Sequence, residues 1–200
     1  MRYAKGHKDD THSHIVNVAS RLFREEGIEK VGVAAVMQRA GLTVGGFYSH
    51  FTSKEELVGE AIGSAADETL HRIFGNSNGC SNPSLNSIVE RYLSVEHRDN
   101  PGTGCVVAAL ASELKNRPEN TRLTVTRKTA EAIQCVANSL SAKAGAKTRL
   151  RVAGSIWAVM VGTLQLSRIV PDNELSTQFL KDGVANALKL AAEIEKPNAT

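Results

Sequence analysis

The sequence predicts an all-α chain, with a three-helix helix-turn-helix domain at the N-terminus and a larger helical domain behind it. Three observations predict it. Apolar residues recur at i, i+3, i+4 and i+7 from one end of the chain to the other. Breaks rich in Gly, Pro, Asn and Ser separate these stripes. No strand-like alternation, internal repeat or low-complexity tract competes with them. The apolar share of 42% of 200 residues is that of an ordinary globular protein, enough for one sizeable core or two smaller ones.

Ile15, Val18, Ala19, Leu22 and Phe23 line one face of a first helix, which Asp10 or Thr11 can cap and Gly27 can end. Val33, Val36, Met37 and Ala40 mark a shorter second helix that stops at Gly41. Thr43 can cap a third helix of about two turns that ends near His50. Leu42 and Phe47 occupy the N′ and N4 positions of a hydrophobic staple around it. Ser53-Lys54-Glu55-Glu56 is a capping box, opening a fourth helix that carries Leu57, Val58, Ala61, Ile62, Ala65, Ile73 and Phe74. Residues 75–83 form a loop by composition. Leu85, Ile88, Val89, Tyr92 and Leu93 mark a fifth helix, and Asp99-Asn100-Pro101-Gly102 a turn. Val107, Leu110, Ala111 and Leu114 mark a sixth helix; Ala130, Ile133, Ala137 and Leu140 mark a seventh. From Leu150 to Val170 apolar residues surround the helix on nearly all sides, which demands burial by the domain's own core and by a partner subunit. Pro171 ends it, and a last helix carries Leu175, Phe179, Leu180, Val184, Leu188 and Ala191. The expected domains are residues 1–55 and residues 56–200.

Composition excludes several classes. No apolar run reaches the roughly 18–20 residues needed to span a bilayer. His7, Lys8, Asp9 and Asp10 stand where a signal peptide needs an apolar core, so a cytoplasmic protein without a membrane partner is expected. Cys80, Cys105 and Cys135 form no CxxC pair and no zinc spacing, and an odd number argues against structural disulfides. The net charge is +3, and its placement says more than its size. Arg2, Lys5, Lys8, Arg21, Arg24, Lys30, Arg39 and Lys54 outnumber Asp9, Asp10, Glu25, Glu26 and Glu29, whereas beyond Lys54 the two signs balance. The basic excess therefore sits in the first quarter, where it could face phosphates.

Two short helices meeting at a tight Gly41-Leu42 corner have the dimensions of a helix-turn-helix. Gly45 and Gly46 let backbone approach a sugar-phosphate closely. Thr43, Tyr48, Ser49 and His50 supply groups suited to phosphate oxygens or base edges. Lys54, in the first turn of the next helix, can act with that helix N-terminus on one phosphate. Phe47 and Phe51 read as core.

The stretch Ala40-Gly41-Leu42-Thr43-Val44-Gly45-Gly46-Phe47-Tyr48-Ser49-His50-Phe51-Thr52-Ser53-Lys54-Glu55-Glu56-Leu57 closely resembles the signature of TetR/AcrR-type regulators, in which a small-Gly pair leads through Tyr-x-His-Phe to Ser-Lys-Glu-x-Leu. The likeness extends upstream through Ala19, Leu22, Phe23 and Gly27. The resemblance implies a dimeric repressor that places two recognition helices in successive major grooves of a palindromic operator. It implies a homodimer through the last two helices and a small-molecule effector pocket in the C-terminal domain. The pattern's DNA-contacting positions fall on Thr43, Val44, Gly45, Gly46, Tyr48, Ser49, His50 and Lys54. Val31 and Gly32 stand where the pattern often has Thr or Ser, and Val44 where it often has a polar residue, which favours contact with a thymine methyl there.

Other constellations carry less. Ser112-Glu113-Leu114-Lys115 fits SxxK in form, without companion motifs and inside a helix. Gly102-Thr103-Gly104 follows no strand, which argues against a dinucleotide site. His12 and His14, two apart on a helix, face different ways, so a metal pair is not expected there. Cys105 follows Gly104 at the start of the sixth helix, where a helix N-terminus favours the thiolate, and is a candidate sensor of oxidants or electrophiles as well as a packed small residue. Tyr92, Trp157, Met160 and Gln165 are candidate effector contacts alongside it. No activated nucleophile, paired carboxylates or metal cluster supports an enzyme, and no cofactor is expected. A helical interaction module that does not bind DNA is the remaining alternative.

Overall fold

The computed structural model describes residues 5–75 and 83–193, and among these every regular element is a helix. The α-helices are α1 (Lys5–Glu26), α2 (Val33–Arg39), α3 (Lys54–Phe74), α4 (Leu85–Tyr92), α5 (Val95–Asp99), α6 (Val106–Leu114), α7 (Glu119–Asn138), α8 (Ala146–Ile169) and α9 (Asn173–Glu193). Two 3-10 helices interrupt the series, at Val44–Ser49 and Pro101–Thr103.

Several elements depart from expectation for identifiable reasons. α1 begins at Lys5, ahead of the proposed Asp10 or Thr11 cap. Asp9 and Asp10 thus fall inside the helix, past its first turn, and not at its cap. The expected two-turn third helix is instead the six-residue 3-10 helix Val44–Ser49. Thr43 is its N-cap but makes no side-chain cap bond, and the Gly45-Gly46 pair has the backbone entropy least suited to an α-helix. α7 starts at Glu119, directly after Pro118, well before Ala130. Thr121 is buried on its inner side, so a polar residue hid the first turns of the stripe. The turn expected at 99–102 is preceded by α5, which Ser94 caps by accepting from His97 N–H at 3.1 Å.

The chain folds as two compact units: Met1–Glu68 with Pro101–Thr126, and Thr69–Asn100 with Arg127–Thr200. The border does not coincide with the 55/56 boundary read from sequence. The first unit keeps α6 because Val106, Leu110 and Leu114 join one apolar cluster with Ile15, Ala19, Phe23, Phe47, Phe51 and Leu57.

Arg24 ties that unit together. Its side chain is wholly buried. Nε donates to Ser20 O at 3.0 Å, Nη1 to Gly104 O at 2.8 Å, and Nη2 to Ser20 Oγ at 2.9 Å and Glu68 Oε2 at 2.6 Å. Each nitrogen of the guanidinium finds an acceptor, the condition under which a buried cation is tolerated. At the other end of α6, Glu113 Oε2 accepts from Glu29 N–H at 2.9 Å, and Arg117 pairs with Glu29 and Glu55. Thus α6 is fastened at both ends to the α1–α2 corner and α3.

In the second unit α8 packs mainly on α9. Gly183 permits the approach: a Cβ there would stand 2.5 Å from Thr163 Cγ2. Ser176 Oγ donates to Ser167 O at 2.6 Å, and Arg168 donates to the carbonyls of His97 and Arg98. By length and mean hydropathy α8 could cross a membrane, although it contains no uninterrupted apolar run of that length. The expected all-round burial is not met within the chain: Leu166 is 52% and Ile169 73% exposed. The second unit covers only the side bearing Ala153, Ile156, Trp157, Met160 and Leu164. Cys135 is disulfide-bonded, against the expectation from the cysteine count, and Cys80 lies outside the described residues.

At the start of α3, Glu56 N–H donates to Ser53 Oγ at 3.1 Å, the forward half of the capping box. The return half differs from the motif. Glu56 Oε2 accepts from both the N–H and the hydroxyl of Thr52, at 2.5 and 2.6 Å. Two converging donors outcompete the single N–H of Ser53, and they hold the Glu56 carboxyl below its ordinary pKa of 4.5.

Replacing Arg24 with Ala removes its bonds to Ser20, Gly104 and Glu68 together with its buried side chain, and is expected to lower stability by about 3 kcal/mol, measured as a shift in denaturant midpoint. Because the Glu56 pKa is depressed on folding, its contribution is present above pH 4.5 and lost as pH falls through the folded value. Wild type should therefore lose more stability than Glu56→Gln between about pH 5 and pH 3 in parallel acid titrations followed by circular dichroism.

Candidate nucleic-acid interface

The site is built on a corner. α2 ends in a Schellman turn: Gly41 N–H donates to Gln38 O at 3.0 Å and Leu42 N–H to Met37 O at 2.8 Å. Gly41 has φ of 71°, a conformation costly for a residue with a Cβ. The chain then turns into Val44–Ser49 with Thr43 extended. Phe47 points inward, is fully buried, and stacks on Phe51 at 5.3 Å between ring centroids. Leu42 packs partly buried against the same cluster, consistent with its staple position.

Burying Phe47 sets the orientation of its neighbours. Thr43, Val44, Gly45, Tyr48 and Ser49 are exposed, whereas Gly46 and His50 are half-buried. Tyr48 is 73% and Val44 48% exposed, so both side chains are open to contact from outside. Ser49 Oγ donates to Gly46 O at 2.7 Å, so its hydroxyl proton is committed and its lone pairs remain to accept.

His50 closes the 3-10 helix, its N–H donating to Phe47 O at 2.9 Å. Its ring Nδ1 is buried without a hydrogen-bond partner. Burial, then the positive charges of His12 and Lys8, hold its pKa below 6.5. His12 reaches it from α1: the ring stacks on Phe51 at 4.4 Å, lies 6.0 Å from His50, and its Nε2 meets Glu60 Oε2 at 2.7 Å. Sequence reasoning assigned His12 no partner. The available signal was its place three residues before Ile15, on the same stripe. His14 faces elsewhere, with Nε2 3.3 Å from Ala40 O. Among the described residues no group of three or more His, Cys, Asp or Glu is placed to hold a metal.

Lys54 is not waiting in solvent. It is half-buried, and Nζ donates to Ile28 O at 2.6 Å. An ammonium has three N–H donors, so this bond anchors the α1–α2 corner while leaving two for another acceptor.

The candidate effector residues separate. Tyr92, Trp157 and Met160 are buried in the second unit, where Trp157 meets Tyr92 edge-on at 5.2 Å and stacks near Phe74 at 6.4 Å. Gln165 is half-buried on the same helix as Trp157. Cys105 belongs to the first unit, as N-cap of α6 and only 2% exposed.

Comparison with known proteins agrees with this architecture. A family model described as "Bacterial regulatory proteins, tetR family" matches residues 15–61, and one described as "Tetracyclin repressor-like, C-terminal domain" matches residues 82–182. The HTH-type transcriptional regulator AcrR of Shigella flexneri is 36% identical over 59 residues, 30% of this chain and 27% of that protein. Matches to curated relatives span from about a quarter to about half of those proteins' length. In fold, the chain is similar to the reduced form of E. coli NemR, with a TM-score of 0.69 and 18% identity over 90% of this chain and 96% of that one. It is also similar to AibR, solved with isovaleryl coenzyme A and operator DNA, with a TM-score of 0.62 and 14% identity over 88% of this chain and 97% of that one. With both family models matched in the expected order along a helix-turn-helix followed by helices, the chain belongs to the TetR family of DNA-binding transcriptional regulators.

Proposed function

We propose that the chain is a repressor that binds a palindromic operator as a homodimer and is released by a small effector or by thiol modification. One observation carries the reading: an outward face of Thr43, Val44, Gly45, Tyr48 and Ser49 rests on the fully buried Phe47. With Gly46, His50 and Lys54, these residues form the DNA-contacting set. Gly45 and Gly46 bring backbone near the phosphates, Val44 meets a thymine methyl, and Tyr48, His50 and Lys54 take phosphates. The α8–α9 surface bearing Leu166, Ile169 and Leu175 pairs with a second copy, which would cover apolar side chains left exposed by one chain. Two reading heads roughly one DNA turn apart then match two half-sites.

The effector binds among Tyr92, Trp157, Met160 and Gln165 and shifts the dimer toward a spacing that no longer fits, by as much as its differential affinity for the two states. Cys105 is the candidate thiol. The protein acts in the cytoplasm without cofactor, membrane partner or catalysis of its own.

A gel shift with DNA from upstream of the protein's own gene, with and without electrophile, tests the reading. Retarded DNA that is released by the electrophile supports it; no binding at low salt on any DNA favours a protein-interaction module. Lys54→Ala is expected to weaken binding to all sequences and to reduce the slope of log affinity against log salt by about 0.9. An unchanged slope removes Lys54 from the phosphate set. Ile169→Glu is expected to yield monomers in analytical ultracentrifugation.

A further inference from the structure

We propose that His50 meets DNA as a neutral ring fixed in the Nε2–H tautomer, a pure hydrogen-bond donor, and that His12 is the positioning residue that keeps it so. The inference rests on the DNA-binding reading above and specifies the chemistry of one of its contacts.

The geometry of the ring carries it. His50 Nδ1 is enclosed with no hydrogen-bond partner. A buried donor without an acceptor is costlier than a buried lone pair without a donor, so the proton belongs on Nε2. That leaves Nδ1 as the enclosed lone pair and turns the single N–H away from the buried side. Charging the ring would place a second proton on Nδ1, where nothing accepts it. The groups around the ring add to this. Lys8 and His12 come from α1, and Glu56 and Glu60 come from α3 and act on His12. His12 and Lys8 act on His50 in the direction that disfavours its charged form, while the carboxylate of Glu60 is engaged by His12 at 2.7 Å. His12 is held in place by that carboxylate and by its stack on Phe51 at 4.4 Å. It is thus fixed on both sides, with its ring centroid 6.0 Å from that of His50.

A neutral donor and an imidazolium leave different signatures on phosphate. Only the cation displaces a condensed counterion. Only the cation makes affinity depend on pH through its own titration. Glutamine can place an N–H near the position of Nε2, whereas asparagine reaches only as far as Nδ1.

The test uses the full chain and a duplex it selects from a random-sequence pool. His50→Ala and His50→Asn are expected to weaken binding about five- to tenfold, with the salt slope unchanged, and His50→Gln to recover most of that loss. Nitrogen-15 shifts of the free protein near neutral pH should show His50 Nε2 protonated and Nδ1 bare. His12→Gln, checked for folding by thermal unfolding, should raise the pH at which His50 titrates and introduce a pH-dependent affinity between about pH 8 and pH 6. The proposal is overturned if His50→Gln binds as poorly as His50→Ala, if His50→Ala lowers the salt slope by about 0.9, or if the free ring is an imidazolium or an Nδ1–H tautomer. Unmoved titration of His50 in His12→Gln removes His12 from the role. Absence of any selected duplex refutes the DNA-binding reading instead, and the free-protein spectrum still decides the tautomer.

Discussion

The reading head depends on the burial of Phe47. The six residues from Val44 to Ser49 are too few, and too rich in glycine, to hold a helix by their own hydrogen bonds. One aromatic side chain, wholly enclosed and stacked on Phe51, supplies what the backbone lacks. Burying an aromatic ring of this size is worth about 2–3 kcal/mol, comparable with several exposed helix-stabilising pairs together. Once Phe47 points inward, the positions beside it must point outward. The choice of exposed residues is a consequence of that anchor and not of the helix type.

Around the anchor, polar groups do the fastening. Lys54 holds Ile28 O, Glu113 holds Glu29 N–H, and Arg24 holds Gly104 O. Each joins segments far apart in sequence through a backbone group, and a backbone group cannot swing away as a side chain can. α6 therefore belongs to the compact body of the reading head although it lies after residue 100. That arrangement gives any displacement of α6 a direct mechanical route to the α1–α2 corner.

Much of this was legible in the sequence. The apolar stripe of α1, the Gly41 stop and the Ser53 cap are local patterns, and local patterns survive folding. What escaped has a common physical origin. Val44–Ser49 is a 3-10 rather than an α-helix, a choice that falls between glycine entropy and the burial of Phe47 and that a stripe of apolar residues does not encode. The early start of α7 was hidden because Thr121 is polar yet buried. The roles of Lys54 and His12 depend on partners 26 and 48 residues away; periodicity can place His12 on a face but names no partner for it. The charge excess of the first quarter suggested free cations, whereas Arg24 and Lys54 are bound within the protein. For α8 the pattern asked for more cover than the domain's own core gives, and one chain leaves Leu166 and Ile169 exposed.

Cys105 shows what such fastening does to reactivity. Its sulfur is enclosed, and the carbonyl just before it is gripped by Arg24. A reagent cannot meet that thiol until the segment around it lifts, so chemistry there is gated by a local opening equilibrium and not by nucleophilicity alone. Under such gating the rate of modification saturates as reagent concentration rises, and the ceiling is the rate of that local opening. Arg24, which touches no reagent, is then among the groups that bear on how quickly the thiol can be found.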